Sequence, residues 1–115
     1  MTDRFIYKIC AMAEWNAAVE AGVYRGSEVD MKDGFIHFST AGQSMETASK
    51  HFAGVEGLVL VKIDGHSLGD ALKWEVSRNG DLFPHLYGVL DTADVEFVAD
   101  LPLGADGKHV FPPID

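Results

Sequence analysis

Gly34-Phe35-Ile36-His37-Phe38-Ser39-Thr40 is a strand running into a helix, and the rest of the chain can be read outward from it. Along an extended backbone Phe35, His37 and Ser39 point to one side, Ile36 and Phe38 to the other. Thr40 and Gln43 form the Thr-x-x-Gln pattern of a capping box, which starts a helix where the strand stops. A histidine and a hydroxyl thus share one strand face beside a helix N-terminus. The free N–H groups and positive dipole end of such a terminus suit a phosphate or carboxylate. The arrangement predicts a small-molecule pocket.

Upstream, Phe5-Ile6-Tyr7-Lys8-Ile9 predicts a first strand with Phe5, Tyr7 and Ile9 on one face. Trp15, Ala18, Val19 and Gly22 recur at helical spacing, with Glu14 in the first turn and Gly22 as a stop, which predicts a helix over 13–21. The polar, turn-rich stretch 23–33 reads as a loop. Downstream, a second helix covers 40–52, with Met45, Ala48 and Phe52 inward and Gly54 ending it. Leu58-Val59-Leu60-Val61-Lys62-Ile63 has the near-continuous apolar character of a central strand buried on both faces. Leu72-Lys73-Trp74-Glu75-Val76 follows as a short strand with Leu72, a buried Trp74 and Val76 on one face and Lys73 and Glu75 on the other. Asn79-Gly80 marks a turn. Pro84 assigns 82–88 to an edge strand or loop. Residues 94–99 alternate as a last strand, and 103–115 reads as irregular. The order predicts an α+β single domain over 1–115, with a core of about 5–101 and an irregular tail, 102–115.

Composition narrows the function classes. A chain of 115 residues, 47% hydrophobic, fits one core. No apolar run reaches membrane length and no signal-peptide pattern opens the chain, so no membrane association and a cytoplasmic setting are expected. Cys10 is the single cysteine, which excludes an internal disulfide and a cysteine-built metal site. Eighteen acidic against nine basic residues give a net charge of -9, and the cations are scattered from Arg4 to Lys108. Nucleic acid is therefore not the expected partner. A small-molecule ligand is.

The residues that could carry chemistry each allow two readings. His37 is either a hydrogen-bonded sheet histidine or a donor that orients a ligand, helped by Ser39 on the same face. Glu75 is either a solvated carboxylate beside Lys73 or Lys62, or a group that polarises a sugar hydroxyl or steadies a developing cation. In Pro84-His85-Leu86-Tyr87-Gly88, His85 and Tyr87 share a side, forming either an amphipathic edge or a second wall of the His37 pocket. His51, His66 and His109 read as peripheral. No spacing suits a metal, and no phosphate-binding glycine loop or Gly-x-Ser-x-Gly elbow is present.

Several stretches together resemble a known family: Ile6-Tyr7-Lys8-Ile9, Trp15 with Ala18 and Gly22, Gly26-Ser27, 33–40, Trp74-Glu75 and 82–88. They resemble an uncharacterised bacterial domain-of-unknown-function family, number nine hundred and fifty-two, over roughly Phe5 to Leu101. More distantly, the order of elements is similar to the ADP-ribosyltransferase-like superfamily, especially its RNA 2′-phosphotransferase branch. That likeness implies a mostly antiparallel split sheet with two main helices, and an ADP-ribosyl- or phosphotransferase-like enzyme with a site for NAD or an ADP-ribose-type nucleotide. On it, His37 would orient the ligand, Ser39 and Thr40 would offer hydroxyls, and Tyr7 or Tyr87 would stack on a ring. Glu75 would be the carboxylate near the reacting centre. Lys8 stands where the branch has a histidine, and would contribute positive charge. The same likeness allows a non-catalytic domain that binds a metabolite or a protein.

Overall fold

The computed structural model describes residues 3–114, the side chain of Arg78 excepted. The elements in order are β1 (Phe5–Ala11), α1 (Met12–Ala21), β2 (Val23–Tyr24), α2 (Glu28–Asp33), β3 (Ile36–His37), α3 (Ala41–His51), β4 (Leu58–Asp64), β5 (Leu72–Val76), β6 (Leu82–Leu86), β7 (Leu90–Asp91) and β8 (Val95–Asp100). Short 3₁₀ turns at Gly65–Ala71, Arg78–Gly80 and Thr92–Asp94 join the later strands. The fold is α+β, with antiparallel pairing throughout the described ladders.

Two three-stranded sheets carry the architecture, in the orders β1-β4-β8 and β3-β6-β5, with a small β2-β7 ribbon beside them. β4 is the central strand expected from its unbroken apolar run, and its residues feed both cores. Ile6, Cys10, Val59, Val61 and Ile63 pack with Trp15 and Ala18 of α1 on one side. Tyr7, Ile9, Leu58 and Leu60 pack with Ala48 of α3 on the other. Strand alternation explains the division, since even and odd residues of β1 face opposite ways. Lys8 falls on the even face among apolar neighbours, where it is only 7% exposed.

The two sheets share the core of Ile6, Val61, Ile36 and Leu86, and among the described residues one backbone bridge joins them. Tyr7 and Ser39 exchange backbone hydrogen bonds of 2.7 and 2.8 Å. Past that bridge, among the described residues, β1 pairs only with β4, and the sheets part along Lys8–Ala11. The sequence stretch 34–40 is therefore the hinge of the architecture: Ile36 and His37 pair with Leu86 and His85, and Ser39 pairs with β1.

Both helical caps have sequence causes. The Thr40–Gln43 box is formed in full at the start of α3. Gly22 ends α1 in a left-handed conformation, φ 86°, which glycine adopts without steric cost.

Several sequence expectations need correction. Residues 23–33 are not a plain loop: they hold β2 and α2, the latter started by a Ser27–Asp30 capping box. Pro84 lies in the central strand of its sheet rather than at an edge. This is tolerated because β3 is only two residues long; Pro84 sits just past its ladder, where its carbonyl still accepts from the Phe38 amide at 3.0 Å. Met45 faces outward, 63% exposed, and Ser44 takes the inward position. Trp74 is half-buried and Val76 is exposed, because β5 runs beyond the core it covers. No described helix is long and apolar enough to cross a membrane.

Candidate functional site

The register of the second sheet decides which side chains meet. Ile36, Leu86 and Leu72 face the core. The opposite face therefore carries Phe35 and His37 from β3 and its approach, His85 and Tyr87 from β6 and its exit, and Glu75 from β5. There the rings cluster: Phe35 stacks on His85 at 4.1 Å, and the two histidine rings meet edge-on at 5.3 Å.

Each imidazole is backed by a carboxylate. His85 Nδ1 donates to Glu75 Oε1 at 2.8 Å, and the same oxygen accepts from the Tyr87 hydroxyl at 2.7 Å. Those two hydrogen bonds, Tyr87's first, hold the Glu75 carboxyl below its ordinary range, and in return Glu75 raises the Tyr87 phenol. On the other side, His37 Nδ1 donates to Asp30 Oδ1 at 2.6 Å, and His37 Nε2 lies 3.1 Å from Asp33 Oδ2.

Asp30 is the residue that sequence reasoning missed. Its carboxylate is buried and accepts from Lys8 Nζ at 2.7 Å, from the Ser27 amide at 2.9 Å and from the His37 amide at 3.2 Å, besides the His37 ring. Burial on its own would push this carboxyl up. The His37 bond and the Lys8 charge and hydrogen bond, with the Ser27 amide, outweigh it and hold the group far below the usual carboxylate range. Gly26 makes room for it: φ is 105°, and a Cβ there would lie 2.6 Å from the Asp30 Cβ. Two sequence signals pointed this way. Ser27-x-x-Asp30 is a capping pattern, and a lysine alternating with core residues on a strand demands a buried partner.

A cleft of about 690 Å³ opens where the sheets part. Of the residues singled out from sequence, Tyr7, Lys8, His37, Ser39 and His85 line it, and Thr40, Glu75 and Tyr87 do not. Thr40 is occupied by its cap, its hydroxyl accepting from the Gln43 amide and its amide donating to the Gln43 side chain. Ser39 Oγ shares a 3.0 Å hydrogen bond with Thr47 Oγ1. Asp30, Asp33, Glu14, Glu28 and His51, the last read as peripheral in the sequence, also reach the cleft wall. Among the described residues no group of three or more His, Cys, Asp or Glu side chains is arranged to hold a metal. Cys10 also borders the cleft, but burial pushes its thiol up to about 11, which makes it a poor nucleophile.

The family described as "Protein of unknown function (DUF952)" matches residues 9–98 of this chain. A crystal structure of protein CC0527 from Caulobacter crescentus is 50% identical to it, with a TM-score of 0.89 over 92% of this chain and 93% of that one. The solution NMR structure of CC0527 is likewise 50% identical, with a TM-score of 0.83 over 92% and 91%. No curated protein matches.

Proposed function

The chain belongs to the DUF952 family, whose name carries no activity, and on that premise we propose that it binds a small N-ribosyl ligand of the NAD or ADP-ribose type in the cleft between its two sheets. The observation that carries this reading is the pair of carboxylate-backed imidazoles, 5.3 Å apart, on the wall of a cleft of about 690 Å³. That volume falls within the range of small-molecule sites, and convergent polar groups on a largely apolar wall are what orient a ligand there. His85 has Nδ1 committed to Glu75, which leaves Nε2 for a ribose hydroxyl or a ring amide. His37 is fixed by Asp30 and supplies the second orienting ring. Tyr7 and Phe38 give the apolar wall.

A transferase would need a carboxylate at the reacting centre. Glu75 stands behind His85 and off the cleft wall, so its part is to position that ring. This placement removes Glu75 from direct contact with a ligand in the cleft, and binding is the reading we adopt. The deciding experiment titrates labelled protein with nicotinamide riboside, NAD and ADP-ribose while following the histidine ring signals and assaying free nicotinamide. Shifts at His37 and His85 without nicotinamide release are expected. Release would restore the transferase reading, and unmoved ring signals with every ligand would remove the site.

A further inference from the structure

We propose that the cleft selects its ligand by charge: within the N-ribosyl class, on which this inference rests, it takes a flat ring bearing positive charge, as a pyridinium does, in preference to a diphosphate. Three exposed carboxylates from two helices reach the wall, Glu14 of α1 and Glu28 and Asp33 of α2, and none pairs with a lysine or arginine among the described residues. Lys8, the lysine on that wall, is spent on buried Asp30. α3 offers the cleft its later turns, through Thr47 and His51, rather than its N-terminus. α1 and α2, by contrast, turn their first turns toward the cleft, where Glu14 and Glu28 set carboxylates against the positive helix ends. The exposed carboxylates and the engagement of Lys8 by Asp30 oppose a dianion and favour a cation.

The remaining observations fit a flat organic cation rather than a metal ion. Tyr7, Phe38 and Phe52 line the same cleft, and aromatic rings combined with carboxylates are the surroundings in which such cations bind. His85 is 5% exposed and lines the cleft, and its Nε2 has no partner among the described residues. A ring amide would supply one.

Calorimetric titration of the wild-type protein with nicotinamide riboside, its reduced uncharged dihydro form and ADP-ribose tests this. The first two have nearly the same shape and differ by one positive charge. The oxidised form should bind about tenfold more tightly, equivalent to roughly 1.4 kcal/mol, with ADP-ribose weakest. Added salt should narrow the gap, because the carboxylates responsible are exposed. Glu14→Gln and Glu28→Gln should each reduce the oxidised-to-reduced preference by about two- to fivefold. Equal affinity for the two forms, or tighter binding of ADP-ribose, overturns charge selection and leaves the ribosyl site standing. Failure of all three to bind overturns the ribosyl site, and this inference with it.

Discussion

Asp30–His37 and Glu75–His85 are the same chemical pair at similar length, 2.6 and 2.8 Å, turned inside out. In the first the carboxylate is inside, 2% exposed, and the imidazole is 35% exposed. In the second the imidazole is inside, 6% exposed, and the carboxylate is 40% exposed. The cost of burial differs accordingly. A buried carboxylate is a charge that must be matched, so Asp30 collects Lys8, two backbone amides and a ring N–H. An imidazole can be buried without charge, so one acceptor on Nδ1 suffices for His85. The first pair ties β1, α2 and β3 into one body. The second fixes one ring on the wall of a cleft.

The largest expected effect separates the two pairs by stability. Asp30→Ala strands Lys8 in the interior and should cost about 3–5 kcal/mol in urea denaturation. Lys8→Met combined with Asp30→Leu should recover part of that, since it removes both charges together. If Asp30→Ala were no more damaging than Glu75→Ala, the distinction between the pairs would collapse. The pH dependence has a definite sign. Asp30 binds its proton more weakly when folded than at its ordinary value of 3.8, so its stabilisation is present above that pH and is lost as pH falls below it. Asp30→Asn should be less stable at neutral pH and should show a flatter loss of stability below about pH 4.

Gly26→Ala comes next. It sets a side chain at φ 105° and 2.6 Å from the Asp30 Cβ, and about 1–3 kcal/mol of strain is expected. The His37 ring signals should move with it, while those of His85 move less; equal movement at both rings would mean that the pairs are not separable.

The two capping boxes sharpen the same contrast. Ser27→Ala and Thr40→Ala should each cost about 1 kcal/mol, but only the α2 cap belongs to the Asp30 network. Ser27→Ala should displace the His37 resonances and Thr40→Ala should not.

The smallest effect on stability is expected at Glu75. Glu75→Gln should leave the denaturation midpoint close to that of the wild type. It should let the Tyr87 phenol fall back toward its ordinary value of 10.0, which spectrophotometric titration reads directly. A Tyr87 titration indifferent to Glu75 would show that the hydrogen bond between them is not held in solution.

Much of the frame was legible because it depends on short-range patterns. The Thr40–Gln43 box, the Gly22 stop and the buried β4 run all follow from residues within a few positions of one another. Alternation along 35–39 placed His37 and Ser39 on one side, and both border the cleft. Misreadings fell where a distant partner decides. Met45 was assigned inward by spacing, but α3 turns Ser44 and Ala48 toward the core instead. Pro84 was read as a bar to a central position, a rule that a two-residue neighbouring strand relaxes. α2 was hidden because six residues give too little periodicity to register against a polar background.

The sequence by itself determined an α+β chain, where its main helices begin and end, and which strand lies in the middle, since these follow from side-chain spacing and from the conformations that Gly, Asn and Thr favour. Only the tertiary structure decided that Asp30 meets Lys8 and His37 across 22 and 7 residues of chain. It also decided that Glu75 stands behind His85 instead of on the cleft wall, and that three carboxylates from two helices share that wall. The physical reason is range. Local torsional and capping preferences are written residue by residue, whereas the compensation of a buried charge is settled only once segments far apart in the chain are packed together.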